Sequence, residues 1–213
     1  MAAAARWLKD RRRPAAVFES IYRSNAWGDP DSRSGLGSSL HSTVEVRRVL
    51  PGLLAELGAK TMLDVPCGDF HWMAQLPLDI DYLGGDIVED LVAANQQRHG
   101  GPRRRFERID LLAGALPKAD LVLCRDCLVH LSFRHIASAL AAIRASGSTW
   151  LLTTTFPGLP GNRDIATGNW RPLDLTAPPF SLPSPTRLID ERCADPGRAG
   201  KSLGLWRIAD LAV

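Results

Sequence analysis

From residue 59 onward the chain alternates short apolar runs with stretches of helical spacing. "TMLDV", "IDYLGGD", "RRFERIDL", "ADLVLC" and "TWLLTTTF" read as strands. Between them, "FHWMAQL" predicts a short helix, "VEDLVAANQQRH" a helix closed by Gly100, and "SFRHIASALAAIRAS" a helix with Ser132 as N-cap and Gly147 just past its end. Runs this apolar, separated by helices, predict a largely parallel sheet covered on both faces. Two short strands, "TRLID" and "LGLWRIADL", close the chain. Ahead of the sheet, residues 15–24 predict a helix with Phe18, Ile21 and Tyr22 on one face. "NAWGDPDSRSGLGSSL" is a loop by composition. The helix through "STVEVRRVLPGLLAEL" is expected to kink or split at Pro51 and to stop at Gly58. Residues 157–185 are rich in proline and glycine and contain no helical period; a loop that long inside a domain is functional or disordered.

Composition narrows the class. With 213 residues, 45% of them apolar, the chain can build one real core and is not a disordered protein. No run approaches the roughly 18 apolar residues of a membrane helix. The arginine-rich start lacks the apolar stretch of a signal peptide, so the default compartment is the cytoplasm. A net charge of +3 does not call for a polyanionic partner. The "RRR" runs at 11–13 and 103–105 have no interleaved aromatics and read as solvated faces, which disfavours nucleic acid. Four cysteines are too few for a disulfide scaffold, and "CRDC" has no second pair at zinc spacing, so the thiols read as reduced and buried and no metal is expected.

The chemistry is expected at the carboxyl ends of the strands. The first strand ends on Asp64 and turns through "VPCGD", with Gly68 where the backbone must come close to a ligand. This turn lacks the glycines of a pyrophosphate site. An acid there suits an ammonium group instead. The second strand ends on Asp86, 22 positions after Asp64, where a carboxylate can take two ribose hydroxyls. Asp110 follows the third strand and can accept from an adenine amino group, with Ile87 and Leu111 against the ring. Ammonium, ribose and adenine together describe S-adenosylmethionine (SAM).

On these residues the chain resembles the class I SAM-dependent methyltransferases. "LDVPCGDF" is similar to the family's first motif, with Pro66 where a glycine is usual, and "YLGGDI", "RIDLL" and "ADLVLCRDCLVHLS" match the next three. The resemblance spans roughly residues 59–156. It implies a Rossmann-like α/β fold with a mostly parallel seven-stranded sheet, helices on both faces and a reversed C-terminal strand. It implies residues 1–58 as an N-terminal helical arm and lid loop ahead of a SAM-binding core at 59–213. It also implies cofactor contacts from Asp64, Pro66, Gly68, Asp86, Ile87, Asp110, Leu111 and Cys124. The whole chain further resembles a bacterial group carrying "WGxxxSRSGxGS", "DxPCGDFxWM", "CRDCLVHLS" and "NRDIxTGxWRPLxL".

The expected activity is methyl transfer to a small-molecule acceptor, at a hydroxyl or carboxylate oxygen. His130 and Asp126 are the candidate bases for a hydroxyl. Arg125 and the loop residues Asn162, Arg163, Trp170 and Arg171 are the candidate substrate wall, because arginine clamps carboxylates and tryptophan stacks on rings. Arg125 and Asp126 can equally form a salt bridge that shapes their loop, and His71 reads as packed or exposed. "SRSGLGSS" is expected to fold over the cofactor, with Trp27 seeking a partner surface. Two other readings stay open: aminopropyl transfer, which needs extra acids in the first turn where only Asp69 is available, and a non-catalytic module that binds a protein partner.

Overall fold

A computed structural model describes residues 14–114, 116–193 and 195–211. The arginine run at 11–13 lies outside them. Seven strands form one sheet: β1 Thr61–Asp64, β2 Asp81–Asp86, β3 Arg104–Arg108, β4 Leu121–Cys124, β5 Trp150–Thr155, β6 Arg187–Asp190 and β7 Ser202–Arg207. Their order is β3-β2-β1-β4-β5-β7-β6. β1 to β5 are parallel, and β7 enters antiparallel between β5 and β6. The strand order reverses beside β1, so the carboxyl ends of β1 and β4 open a crevice there.

Among the described residues four helices accompany the sheet: α1 Pro14–Ser24, α2 Val44–Glu56, α3 Glu89–His99 and α4 Phe133–Ala145. One face of the sheet is buried by α2 and α3 through Val46, Leu50, Leu53, Leu54, Leu91 and Val92. The other is buried by α4 through Ile136, Ala139, Leu140 and Ile143, with Leu173 and Leu175 of the long loop beside it. Ser132 caps α4 by accepting from the backbone N–H of His135. Gly147 and Gly58 adopt φ of +64° and +62° just past α4 and α2, a conformation glycine reaches without a Cβ clash.

Two expectations are corrected. Pro51 sits inside α2 without interrupting it. A helical proline costs about 3 kcal/mol, but α2 buries Val46, Leu50, Leu53 and Leu54 almost completely, each worth roughly 1.5–3 kcal/mol. Burial therefore outweighs the lost hydrogen bond. The helix expected through 70–76 is only a 3-10 turn at Met73–Gln75. Phe70 enters the segment at φ +59° and Pro77 stops it, leaving too few residues for helix nucleation. Between β5 and β6 the chain has no regular element. Among the described residues, no helix is long and apolar enough to cross a membrane.

Candidate functional site

The turns after β1, β2, β3 and β4 line one cleft, closed from above by α1 and the loop behind it. It encloses about 1040 Å3 counting its mouth.

Two carboxylates sit buried in its floor. Asp64 ends β1 and accepts a hydrogen bond from the Tyr82 hydroxyl at 2.7 Å. Burial pushes its carboxyl up to about 7, against that hydrogen bond, and nearby Asp86 adds to the rise. Asp86 ends β2 and accepts from the backbone N–H groups of Val88 at 3.0 Å and Gly68 at 3.2 Å. Burial still raises it to about 6. Neither acid has a cationic side chain bonded to it among the described residues. Asp110 closes its own turn by accepting from the Leu112 N–H at 2.9 Å. Ile87, Val88, Leu91, Ile109, Leu111 and Leu112 supply an apolar wall.

The loop after α1 is tied to the β1 turn by Asp69. That carboxylate accepts from the Ser32 and Ser34 hydroxyls at 3.1 and 3.2 Å and from the Arg33 N–H at 2.8 Å. In return the Asp69 N–H donates to Ser34 Oγ at 2.8 Å. Gly68 lies under this contact at φ +54°, and a Cβ there would sit 2.3 Å from Ser34 Oγ. Farther along, the Gly37 carbonyl accepts from Arg125 Nη1 at 2.8 Å. The loop therefore hangs from both sides of the crevice.

Behind the β4 turn lies a network of four charges. Arg125 binds Glu191 at 2.5 Å and Asp126 at 3.3 Å; Lys201 binds Asp126 at 2.5 Å and Glu191 at 3.5 Å. Lys201 and Glu191 are buried at 2% and 3% exposure, so only mutual neutralisation makes the arrangement tolerable. Burial alone would raise the Asp126 carboxyl; Lys201 and Arg125 outweigh it and hold it well below the carboxylate range. Such a carboxylate is a poor proton acceptor near neutral pH.

His130 lies across the turn from Asp126. Its Nδ1 lies 2.9 Å from the Asn169 carbonyl. A carbonyl only accepts, so Nδ1 carries the proton and Nε2 keeps a lone pair. Burial lowers the imidazole to about 4, which leaves it neutral at physiological pH. The segment "TGNWR" clasps this turn. Gly168 N–H donates to the His130 carbonyl and Arg171 N–H to that of Val129. The fully buried Arg171 guanidinium donates to the carbonyls of Leu128 and Leu131 at 2.9 and 2.8 Å.

The cleft brings together Asp64, Pro66, Gly68, Asp86, Ile87, Asp110 and Leu111, with Arg125, Asp126 and His130 across from them. Cys124 is not among the lining residues. It is fully buried in the core at the end of β4, and Cys127 lines the cleft in its place. All four cysteines are free thiols. The expected substrate wall is also corrected. Neither Asn162, Arg163, Trp170 nor Arg171 lines the cleft. Asn162 staples its own loop through the carbonyls of Asp174 and Pro178, Trp170 meets Phe156 edge-on at 6.1 Å, and Arg163 is exposed. Arg125 lines the cleft, but its donors go to Glu191 and Gly37. His71 lies outside the lining.

The opposite wall comes from Phe18, Tyr22, Trp27 and Arg33; Trp27 and Arg33 belong to the loop expected to cover the cofactor, whereas Phe18 and Tyr22 were not assigned to the site. Phe18 and Tyr22 were legible only as an apolar helix face. No motif marked Glu191 or Lys201.

No family profile and no curated protein matches the chain. Solved structures do. The chain is similar to a 1,6-didemethyltoxoflavin-N1-methyltransferase from Burkholderia thailandensis, solved with its substrate and S-adenosylhomocysteine: TM-score 0.61, 20% identity, 91% of this chain and 88% of that one. It is similar to magnesium protoporphyrin IX methyltransferase of Synechocystis with SAM bound: TM-score 0.60, 15% identity, 92% and 97% covered. It is similar to human N-acetylserotonin methyltransferase in complex with SAM: TM-score 0.61, 14% identity, 96% of this chain but 64% of that one. At these identities the likeness is one of fold. The chain is a Rossmann-like α/β protein with the mixed seven-stranded sheet of these methyltransferases, including the reversed C-terminal strand.

Proposed function

We propose that the protein is a SAM-dependent methyltransferase acting on the hydroxyl of a small molecule. The observation that carries this reading is the pairing of two buried, cation-free carboxylates at adjacent strand ends with a neutral imidazole across the same cleft. The donor set fits the cofactor. Asp64 would take its ammonium group, Asp86 its ribose hydroxyls and Asp110 its adenine amine, with Ile87 and Leu111 against the ring. Gly68 leaves room for the backbone to approach. The Asp69-tethered loop serves as the lid that excludes water.

Held by Asp64, Asp86 and Asp110, SAM would supply an electrophilic methyl carbon for an acceptor oxygen, with the electron pair of the C–S bond leaving on sulfur. The chain's task is to align the acceptor and take its proton. Nε2 of His130 accepts that proton while Nδ1–H stays bonded to Asn169, and the clasp from Arg171 keeps the ring in place. Asp126 is held ionised beside His130 and favours the imidazolium that results. A carboxylate acceptor is disfavoured because Arg163 and Arg171 lie away from the cleft. Aminopropyl transfer is disfavoured because Asp69, the extra acid it needs, is already occupied by the lid.

Calorimetric titration with SAM and S-adenosylhomocysteine tests the reading. Micromolar binding that is lost in Asp86→Ala is the expected result. No binding by the intact protein overturns it.

A further inference from the structure

The cleft is divided by chemistry. Its β1–β3 side holds the carboxylates and the aliphatic wall. Among the described residues, its β4 side, around His130, is aromatic and carries no uncommitted charge. Trp27 lies against the His130 ring at 4.9 Å between centroids and 34° between planes. Phe18 meets Trp27 at 6.4 Å. The indole is held from behind: a Cβ on Gly35 would sit 2.9 Å from the Trp27 Cβ, so the lid backbone presses directly on it.

From these contacts we infer that the acceptor is an uncharged planar aromatic compound bearing a hydroxyl, its ring against Trp27 and its hydroxyl at His130; this rests on the methyltransferase reading. The charges decide against an anion. Among the lining residues Arg125 is neutralised by Glu191 and Asp126. Arg33, the other lining cation, belongs to the segment bonded to Asp69 on the β1 side; its guanidinium lies over the Tyr22 ring and donates to the Tyr22 carbonyl. An ionised group beside His130 would thus be desolvated without a partner, which is far costlier than burying a hydroxyl that donates to Nε2. A cation fares no better, since Lys201 and Arg125 already offset Asp126. The rings decide for planarity, because stacking adds to the affinity that burial of apolar area supplies.

The full chain, saturated with S-adenosylhomocysteine, is titrated calorimetrically with three probes that share a para-methyl six-membered ring: p-cresol, p-toluate and 4-methylcyclohexanol. p-Cresol is expected to bind at least about tenfold tighter than ionised p-toluate. It is expected to bind about threefold to tenfold tighter than the saturated alcohol. In Trp27→Leu the preference for the planar ring disappears, while far-UV circular dichroism and the urea midpoint report that the variant is folded. Equal or tighter binding of p-toluate, a ring preference that survives in Trp27→Leu, or no p-cresol binding to the loaded protein each overturns the inference. Failure of S-adenosylhomocysteine itself to bind is a separate result and overturns the methyltransferase reading beneath it.

Discussion

Lys201→Met isolates the four-charge network behind the β4 turn. The parent holds two cations and two anions, so it is neutral within one buried cluster. Removing the Lys201 ammonium takes away the 2.5 Å partner of Asp126 and leaves a net buried negative charge. Breaking one partner out of a buried ion pair costs about 3–5 kcal/mol. For a chain of this length each kcal/mol lowers Tm by roughly 2–4 °C, so a drop of about 6–20 °C is expected. Glu191→Gln alone leaves the opposite imbalance and should cost a similar amount. The double variant restores neutrality, because Arg125 and Asp126 remain 3.3 Å apart. It should therefore be more stable than the sum of the singles by about 2 kcal/mol, within the range of couplings between contacting residues. Urea unfolding followed by circular dichroism at pH 7 measures all four proteins, with equal slopes required for comparison. The pH dependence adds a second check. Asp126 is depressed in the folded protein, so its contribution is full above the ordinary carboxylate value and is lost as pH falls below about 4. A Lys201→Met variant within about 1 kcal/mol of the parent, or strictly additive singles, would refute the argument that mutual neutralisation holds this cluster together.

Asp64 and Asp86, raised to about 7 and 6, give the opposite pH trend. Their folded values exceed the unfolded ones, so stability is full below about pH 4 and declines as pH rises through 6 and 7. Thermal scans of the ligand-free protein should show that decline, and Asp64→Asn should flatten its upper part. Conversely, SAM affinity should rise from pH 6 to pH 8 as Asp64 ionises, and a flat profile would argue against Asp64 as the ammonium partner. Asp69→Asn replaces one charged oxygen of the lid tether with an amide, each charge-assisted bond being worth about 1.5–3 kcal/mol. Stopped-flow release of S-adenosylhomocysteine should then be faster by about tenfold or more. His130→Gln should lower the rate on a hydroxyl acceptor by about 10²–10⁴-fold while leaving SAM affinity intact, the loss expected of a general base.

The strand-end acids were legible because their signals are local. A strand ending on Asp64, a turn through Gly68 and a second strand ending on Asp86 can each be read from a few neighbouring residues. Parallel pairing then brings such ends to one edge of the sheet. Partners are less legible. Arg171 and Asn162 look like ligand groups in a polar loop, yet Arg171 donates to backbone carbonyls of the β4 turn and Asn162 to a carbonyl of its own loop. Cys124 ends β4 fully buried in the core, and Cys127, in the turn beyond the strand, lines the cleft.

By itself the sequence determined the α/β class, the succession of strands along the chain, and the acids at their ends. Apolar runs, helical period and turn residues act over short distances, and the topology rules for parallel sheets do the rest. Tertiary structure alone decided which partners those groups meet. Asp69 and Ser34 are 35 positions apart, Arg125 and Glu191 are 66, and Lys201 is 75 from Asp126. No periodicity spans such distances. Whether Asp126 is a free base or a neutralised ion, and whether Trp27 is solvated or stacked on His130, depends on which surfaces the packed elements bring face to face.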